Sequence, residues 1–270
     1  MRLPITYLFV PGNRAERFDK ALASGADAVI LDLEDAVSPR EKEDARANVL
    51  AWVQSRPEVL ERVVVRVNDA TTPWFDVDLA MLEHAGIRCA MLPKAEAAEQ
   101  IDAVRAALPA GGLILPLIET ARGVDAVDAL AAAQGVQRLA FGTLDYGVDL
   151  DLSGDERGLI YPASRITLAS RCAGLATPVA GVTPTIDDDE RLLADLAFAR
   201  ALGFGAKLCI HPRQVAVVRK ALLPTAAEVD WARRVLAAAE GADGAVQVDG
   251  RMVDRPVLLK AQAILDRLPG

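Results

Sequence analysis

The chain has 270 residues, a length that fits one large domain or two small ones. Apolar residues make up 52% of the chain, which provides a sizeable core and excludes wholesale disorder. The formal charge of −8 lacks the positive field that gathers phosphate backbones, so we expect no nucleic-acid partner.

The three cysteines and the absence of long apolar stretches bear on the compartment. Cys89, Cys172 and Cys209 lie far apart, a spacing that excludes a zinc knuckle, a disulfide framework and a redox pair. The apolar stretch at residues 7–10 is too short for a signal peptide, and no stretch is suited to cross a bilayer. These features predict a cytoplasmic protein with no membrane partner.

Short aliphatic runs alternate strictly with longer amphipathic stretches along most of the chain. The runs predict strands at residues 7–10, 28–33, 63–67, 89–92, 113–118, 138–141, 178–181 and 206–210. The stretches predict helices at residues 14–24, 40–54, 76–84, 96–108, 120–133, 163–173, 187–202 and 213–222. Continuously apolar strands indicate a parallel sheet that is buried on both faces. Eight strand–helix repeats predict an α/β fold of the TIM (β/α)8 type, with an open doubly wound sheet as the alternative.

The last fifty or so residues follow a barrel that is already complete. We expect helices at residues 225–239 and 256–268, separated by a glycine-rich polar segment at residues 241–254. Thr225 and Glu228 have the spacing of a capping box at the start of the first helix. The predicted domains are therefore a barrel at residues 1–222 and a C-terminal helical lid or oligomer contact at residues 223–270.

Polar and charged residues follow nearly every predicted strand. Because active sites of such barrels lie at the carboxyl ends of the strands, these side chains are expected to meet at one rim. They include Arg14, Asp32, Glu34, Asp35, Arg66, Lys94, Glu119, Thr120, Asp145 and His211.

Carboxylates dominate this rim, and they repel one another at neutral pH unless a cation neutralises them. The chain has only two histidines, so oxygen ligands and a hard ion are indicated, Mg²⁺ first and Mn²⁺ second. Glu119 and Asp145 follow adjacent strands and are the predicted ligands. The alternative for this pair is a structural salt bridge to Arg66 or Lys94.

The remaining rim residues each allow two interpretations. Glu34 and Asp35 either hold the waters of the metal or cap the helix predicted from residue 40. Arg66 either grips a substrate oxygen or balances the carboxylates. Lys94 is an ion-pair partner or, alternatively, a Schiff-base lysine.

His211 and a charged run at residues 41–46 are interpreted from the local sequence pattern alone. His211 either orders its loop or touches the edge of a ligand, with a general-base role as the less favoured alternative. The charged run at residues 41–46, which includes Lys42 and Arg46, indicates a solvated helix face.

A set of short motifs, in this order along the chain, resembles the CitE-like lyases of the HpcH/HpaI aldolase and citrate-lyase β-subunit superfamily. The motifs are LFVPGNRAERFDKALASGADAVILDLEDAVSPREKEDAR from residue 8, VRVN at 65–68, LPKAE at 92–96, LIET at 117–120, FGTLDYGVDL at 141–150 and KLCIHPRQV at 207–215. Each motif alone is weak, but their ordered set is specific and spans essentially the whole chain.

The resemblance implies a TIM barrel, usually a homotrimer, that breaks or forms a carbon–carbon bond in a 3-hydroxyacyl thioester. It implies that Glu119 and Asp145 bind Mg²⁺ and that Arg66 binds substrate oxygens. Gly142, Thr143 and Leu144, in the motif that carries Asp145, are the expected substrate contacts. The expected coenzyme A contacts are Arg14, Lys20, His211 and Pro212.

The segment GRMVDRPVLLKAQAIL at 250–265 resembles the C-terminal lid of the CoA-lyase members. In those members an aspartate from the neighbouring subunit is the catalytic acid/base, and Asp254 matches it. The alternative for Asp254 is a helix cap before Pro256.

The sequence thus predicts an Mg²⁺-dependent lyase that cleaves citramalyl-, malyl- or citryl-CoA to acetyl-CoA and a 2-oxo acid. The alternatives are a citrate lyase β subunit that acts on a citryl-acyl-carrier protein together with α and γ subunits, and an HpaI-type aldolase for free acids. A barrel that only binds CoA or a keto acid is the non-enzymatic alternative.

Overall fold

The computed structural model describes residues 3–240 and 246–268. It divides into two compact units, Met1–Val218 and Arg219–Gly270. Each unit has a hydrophobic core of its own. Within the described part of the chain, no helix is both long and apolar enough to cross a membrane.

Eight parallel strands close into a barrel in the first unit, each paired with its neighbours in sequence order. The strands are β1 (Thr6–Pro11), β2 (Ala28–Asp32), β3 (Val63–Arg66), β4 (Cys89–Leu92), β5 (Leu113–Ile118), β6 (Ala140–Phe141), β7 (Val179–Ala180) and β8 (Ala206–Cys209). Thr6 on β1 is the register partner of Lys207 on β8, which completes the ring. The predicted TIM barrel is therefore confirmed, and the open doubly wound sheet is wrong.

Helices follow the strands around the barrel. They are α1 (Phe18–Leu22), α2 (Lys42–Ser55), α3 (Phe75–Ala85), α4 (Ala98–Ala107), α5 (Ala121–Asp125), α6 (Val127–Ala132), α7 (Thr143–Asp149), α8 (Arg157–Cys172), α9 (Asp189–Ala201) and α10 (Pro212–Leu222). Short 3-10 turns occupy Ala15–Arg17, Pro39–Glu41 and Pro57–Arg62.

Four of the helical segments differ from the predicted ones. The helix expected at residues 14–24 is a 3-10 turn at Ala15–Arg17 followed by the five-residue α1. The single helix expected at residues 120–133 is broken into α5 and α6. The seven-residue α7 was not predicted, because it follows β6 directly and is too short for a periodic pattern to register. The helix α8 begins before the predicted start and continues through Pro162, a residue that usually marks a break.

The interior of the barrel is filled by side chains of one parity along each strand. They are Tyr7, Ala28, Ile30, Val64, Met91, Leu115, Leu117, Ala140, Val179, Ala206 and Leu208. Side chains alternate along a strand, so a residue two positions beyond an inward one also faces inward. Asp32, Arg66 and Glu119 stand two positions beyond Ile30, Val64 and Leu117. The register of the strands therefore directs these three polar side chains toward the mouth of the barrel.

The second unit contains α11 (Ala226–Ala239), a hairpin of β9 (Val246–Val248) and β10 (Arg251–Val253), and α12 (Arg255–Leu265). The predicted capping box is confirmed, because Thr225 and Glu228 exchange hydrogen bonds of 2.8 and 3.2 Å. The segment predicted to be glycine-rich and polar contains the hairpin, and residues 241–245 lie outside the described residues.

Candidate active site at the mouth of the barrel

Five polar side chains that end or follow the strands β2 to β5 meet at the carboxyl ends of these strands. We call Asp32, Glu34, Arg66, Lys94 and Glu119 the rim cluster. Lys94 is partly exposed, and the other four are buried. Burial of so many charged groups together is costly, so each of them requires partners.

Arg66 is the central cation of the rim cluster. Its Nε and Nη2 donate hydrogen bonds of 2.7 Å each to the two carboxylate oxygens of Asp32. Its Nη1 lies 2.8 Å from Glu34 Oε2 and 3.9 Å from Asp35 Oδ2. Burial by itself lowers the pKa of Arg66, but the charges of Asp32, Glu34 and Asp35 outweigh it and raise the pKa. Arg66 is therefore a fixed positive charge, with N–H donors left over for a ligand.

Glu34 lies between two cations, because Lys94 Nζ donates a 2.8 Å hydrogen bond to Glu34 Oε1. Burial raises the pKa of Glu34, whereas Arg66 and Lys94 act to lower it. The capping alternative for Glu34 is wrong, since the cap position before the 3-10 turn that leads into α2 is Ser38. Asp35, by contrast, has a side chain that is 61% exposed.

Lys94 is held as a cation rather than as a nucleophile. Burial lowers the pKa of Lys94, but the hydrogen bond and charge of Glu34, followed by the charge of Glu119, raise it overall. A Schiff-base lysine requires a neutral amine, so this environment disfavours that alternative. The residue also has a left-handed backbone (φ 45°), and such strained positions cluster at functional sites.

Lys42 holds the backbone that carries Glu34, a role that the sequence pattern did not predict. Its Nζ donates hydrogen bonds of 2.6 Å to the carbonyl of Leu33 and 2.7 Å to that of Glu34. The prediction that residues 41–46 form a solvated face is wrong for Lys42, which is only 5% exposed. The sequence did contain a sign that position 42 is buried, because Ala45 and Val49 place it on the apolar stripe of α2.

We expect Lys42→Met to lower the free energy of unfolding by about 1–3 kcal/mol, because two buried carbonyls lose their donor. Urea unfolding measures this change. The exposed Lys220→Met is the matched control and is expected to stay within about 0.5 kcal/mol of the wild type. Equal stability of the two variants would contradict the supporting role of Lys42.

Glu119 is the most strongly perturbed acid of the rim cluster. It follows β5, is 1% exposed, and accepts a 2.9 Å hydrogen bond at Oε1 from the backbone N–H of Lys94. Burial is the main reason that its pKa is raised to about 8, and the charges of Glu34 and Asp145 add to the effect. The predicted alternative of a structural ion pair does not hold for Glu119, which takes the backbone N–H of Lys94 instead of its ammonium.

The absence of a side chain at Gly142 leaves space for the carboxylate of Glu119. A Cβ at this position would lie 2.6 Å from Glu119 Cβ and would also collide with Glu119 Oε2. We therefore expect Gly142→Ala to displace the carboxylate of Glu119 and to lower kcat by about 10²-fold. A loss of this size is typical when a catalytic group is misplaced by about 1 Å. Steady-state kinetics measures this loss. Gly147→Ala on α7 has open space and is the matched control, so equal losses in both would contradict the claim.

Asp145 lies in the first turn of α7, which begins directly after β6. Its charge is close enough to contribute to the raised pKa of Glu119. Thr143 and Leu144 precede it on the same turn, and the Leu144 side chain is half exposed. Asp145 is therefore a charged neighbour of Glu119.

The Glu119 and Asp145 carboxylates fit a hard divalent cation. Their donor atoms are all oxygen, and a cation offsets the burial and repulsion that oppose the charge of Glu119. Among the described residues, no group of three or more His, Cys, Asp or Glu side chains is arranged to enclose a metal ion. Mg²⁺ typically takes one or two protein carboxylates and fills its other positions with water and substrate.

The expected coenzyme A contacts lie outside the rim cluster. Arg14 and Lys20 are exposed near β1, and Arg14 Nε donates a 2.8 Å hydrogen bond to Glu16. Beyond β8, His211 Nδ1 accepts a 3.2 Å hydrogen bond from the backbone N–H of Arg213, so His211 orders its own loop. Pro212 is exposed at the start of α10.

Asp254 belongs to the second unit, where it precedes α12. Its Oδ1 accepts a 3.2 Å hydrogen bond from the backbone N–H of Val257, and Pro256 occupies the first turn. The side chain thus caps the helix and is exposed. A capping role does not conflict with proton transfer, because the carboxylate remains open to solvent.

Comparison with known proteins gives one consistent result. The family described as HpcH/HpaI aldolase/citrate lyase matches residues 6–212. A citrate lyase subunit beta-like protein of Mycobacterium tuberculosis is 39% identical and is aligned over 97% of this chain and 94% of its own length. The citrate lyase subunit beta of Leuconostoc mesenteroides subsp. cremoris is 34% identical over 98% of this chain and 93% of its own.

The structural comparison agrees with the sequence comparison. The crystal structure of CitE from Mycobacterium tuberculosis in complex with magnesium, acetoacetate and coenzyme A has a TM-score of 0.85. It is 38% identical and covers 97% of each chain. The present chain therefore belongs to the HpcH/HpaI aldolase/citrate lyase family and is a carbon–carbon lyase of that family.

Proposed function

We propose that this chain is an Mg²⁺-dependent lyase that cleaves a 3-hydroxyacyl-CoA thioester of the citramalyl, malyl or citryl type. The products are acetyl-CoA and a 2-oxo acid. The observation that carries the proposal is Glu119, a buried carboxylate whose charge is opposed by burial and by two neighbouring carboxylates. One related CitE structure contains magnesium and pyruvate, a 2-oxo acid, and another contains magnesium and coenzyme A, which supports these substrate classes.

Glu119 and Asp145 would hold the ion, with Mn²⁺ as a substitute and with Glu34 and Asp35 available to its waters. When bound, Mg²⁺ would orient the 2-oxo acid and polarise its carbonyl group. Gly142, Thr143 and Leu144 lie between the two ligands along the chain and would contact the acid. No further ligand from the protein is required by this arrangement.

Residues of the protein would then accept the hydroxyl proton of the substrate and stabilise the negative charge of the enolate. As the family resemblance implies, Asp254 of the neighbouring subunit would take the proton from the hydroxyl group of the substrate, and the adjacent carbon–carbon bond would break. The bonding electrons pass to the thioester as an enolate, and a proton added at carbon gives acetyl-CoA. Arg66 stabilises the enolate oxygen, because Asp32 and Glu34 hold its guanidinium rigidly and leave donors free.

The proposal also includes the coenzyme and the assembly. Arg14 and Lys20 would contact the phosphates of coenzyme A, with His211 and Pro212 beside the adenine. The functional form would be a homotrimer, as the family resemblance implies, and it would lie in the cytoplasm, as the cysteine spacing suggests. Sedimentation velocity tests the trimer, since a monomeric mass at micromolar concentration would contradict it.

A second candidate is a citrate lyase β subunit that acts on a citryl group carried by an acyl-carrier protein. The 34% identity to the citrate lyase subunit beta of Leuconostoc mesenteroides favours it. Such a protein would require α and γ subunits and a surface for the carrier. The segment at 250–265, which resembles the lid of the CoA-lyase members, favours the self-contained enzyme.

The test is a cleavage assay on citramalyl-, malyl- and citryl-CoA, each with Mg²⁺ and with a chelator. We expect release of acetyl-CoA only with Mg²⁺, from at least one of the three thioesters. No release from any of them, combined with release of oxaloacetate from citryl-acyl-carrier protein, would establish the second candidate instead. Equal rates with Mg²⁺ and chelator would contradict the metal-dependent mechanism.

A further inference from the structure

A cavity of about 840 Å³ lies in the first unit on the outer side of β6, β7 and β8. Phe141, Ala180 and Lys207 line it from these strands. Their neighbours Ala140, Val179 and Ala206 belong to the core inside the barrel. Because side chains alternate along a strand, the cavity faces away from the interior, toward α8 and α9. None of the five residues of the rim cluster lines it.

Most of the cavity wall is apolar. The large apolar side chains in it are Phe141, Leu152, Leu159, Phe198 and Phe204. The volume lies in the range of small-molecule sites, which combine apolar walls with a small number of polar groups. The wall thus suits the aliphatic chain of a ligand. The polar groups of the cavity determine which head group that ligand carries.

Lys207 is the buried polar group of this cavity and is only 2% exposed. Its Nζ donates a hydrogen bond to the carbonyl of Gly181, and among the described residues it has no carboxylate as an ion-pair partner. An ammonium group has more N–H donors than this single carbonyl satisfies. Burial lowers the pKa of Lys207 to about 8, so the group still carries its proton at neutral pH. A buried, unpaired cation of this kind is stabilised by an anion.

Five acidic residues line the cavity, Asp151, Asp155, Glu156, Asp188 and Asp195. Asp155 accepts a 2.6 Å hydrogen bond from Arg157 Nη2, and Asp188 accepts one of 2.9 Å from the backbone N–H of Arg191. Asp195 accepts a 2.7 Å hydrogen bond from Thr183 Oγ1 and pairs with Arg191 Nε at 2.7 Å. Glu156 pairs with the same Arg191 at 3.2 Å. The charge of Asp195 acts to raise the pKa of Lys207, but among the described residues no carboxylate forms a salt bridge with its ammonium group, which is left to contact a molecule that enters the cavity.

We propose that this cavity binds an aliphatic monocarboxylate, with its carboxylate on Lys207 and its chain along the apolar wall. A monoanion matches the one buried cation, whereas a phosphate group requires several donors that the apolar wall does not supply. The site uses neither the proposed metal ligands nor the rim cluster, but it shares Thr143 and Leu144 with the proposed contacts of the 2-oxo acid. The helix α7 contributes Leu144 and Gly147 to the cavity wall and also carries Asp145, so it borders both sites.

The test uses octanoate as the probe and octan-1-ol as the uncharged probe of equal length, titrated calorimetrically into the full chain at pH 7. We expect octanoate to bind at least about tenfold more tightly than octan-1-ol. Lys207→Met keeps the length of the side chain without its charge, and it should remove this preference. Ala199→Leu narrows the cavity without touching the charge and should weaken both probes.

Two control variants test whether octanoate binds in the cavity rather than elsewhere on the protein. Lys220→Met, on an exposed position, and Glu119→Gln, at the mouth of the barrel, should both leave octanoate affinity unchanged. Equal affinity for the two probes, or unchanged affinity in Lys207→Met and Ala199→Leu, would overturn the proposal. Absence of binding together with a change of oligomeric mass in Lys207→Met would also overturn it, in favour of a second copy of the chain as the occupant.

Discussion

Glu119→Gln is expected to lower kcat/KM for thioester cleavage by at least about 10³-fold while the fold is retained. The metal supplies several kcal/mol of charge stabilisation, and each ~1.4 kcal/mol corresponds to tenfold in rate. The amide oxygen of glutamine still accepts the hydrogen bond from the Lys94 backbone N–H. Burial raises the pKa of Glu119 to about 8, so a neutral group at this position should leave the protein at least as stable.

Two measurements separate this result from misfolding. Thermal unfolding followed by circular dichroism should give a midpoint no lower than that of the wild type. Glu99→Gln, on an exposed position of α4, is the matched control and should keep wild-type kinetics. A Glu119→Gln enzyme that keeps the wild-type rate at limiting Mg²⁺ would contradict the metal assignment.

Arg66→Gln is expected to lower both the free energy of unfolding and the rate of catalysis. It leaves the carboxylate of Asp32 buried without its cation and leaves Glu34 with Lys94 alone, at a cost of about 3–5 kcal/mol in the free energy of unfolding. It also removes the donor that is proposed to stabilise the enolate, which typically costs about 10²–10³-fold in kcat. Urea unfolding and steady-state kinetics measure the two losses.

The double variant Asp32→Asn/Arg66→Gln distinguishes the structural loss from the catalytic loss. Because the remaining charge is reduced, we expect it to recover part of the stability but none of the activity. Recovery of activity together with stability would show that Arg66 acts only as a structural counter-ion. Absence of any energetic coupling would contradict the bidentate pair seen between the two side chains.

The barrel itself was predictable because its physical signals are local and repeated. Aliphatic runs at eight places predicted a parallel sheet buried on both faces, and the observed strands lie within two residues of the predicted limits. The short α7 was not predictable by periodicity, since seven residues make less than two full turns. The course of α8 through Pro162 depends on tertiary packing that no local pattern records.

The candidate site was predictable as a list of residues but not as a network. The position after each strand predicted that Asp32, Glu34 and Glu119 share one rim. Which carboxylate takes which cation depends on distances of a few ångströms, and these arise only when the strands are in register. Lys42 was misassigned because charged residues on both sides of it hide its place on the apolar stripe of α2.

The assignment of Glu119 and Asp145 as ligands of one divalent ion is tested most directly by Mn²⁺ titration followed by electron paramagnetic resonance. The spectrum of free Mn²⁺ gives the number and affinity of bound ions without any need for turnover. We expect one tight site per chain in the wild type, weakened at least about tenfold in Glu119→Gln and in Asp145→Asn. Binding of one Mn²⁺ with unchanged affinity by both variants would contradict the assignment.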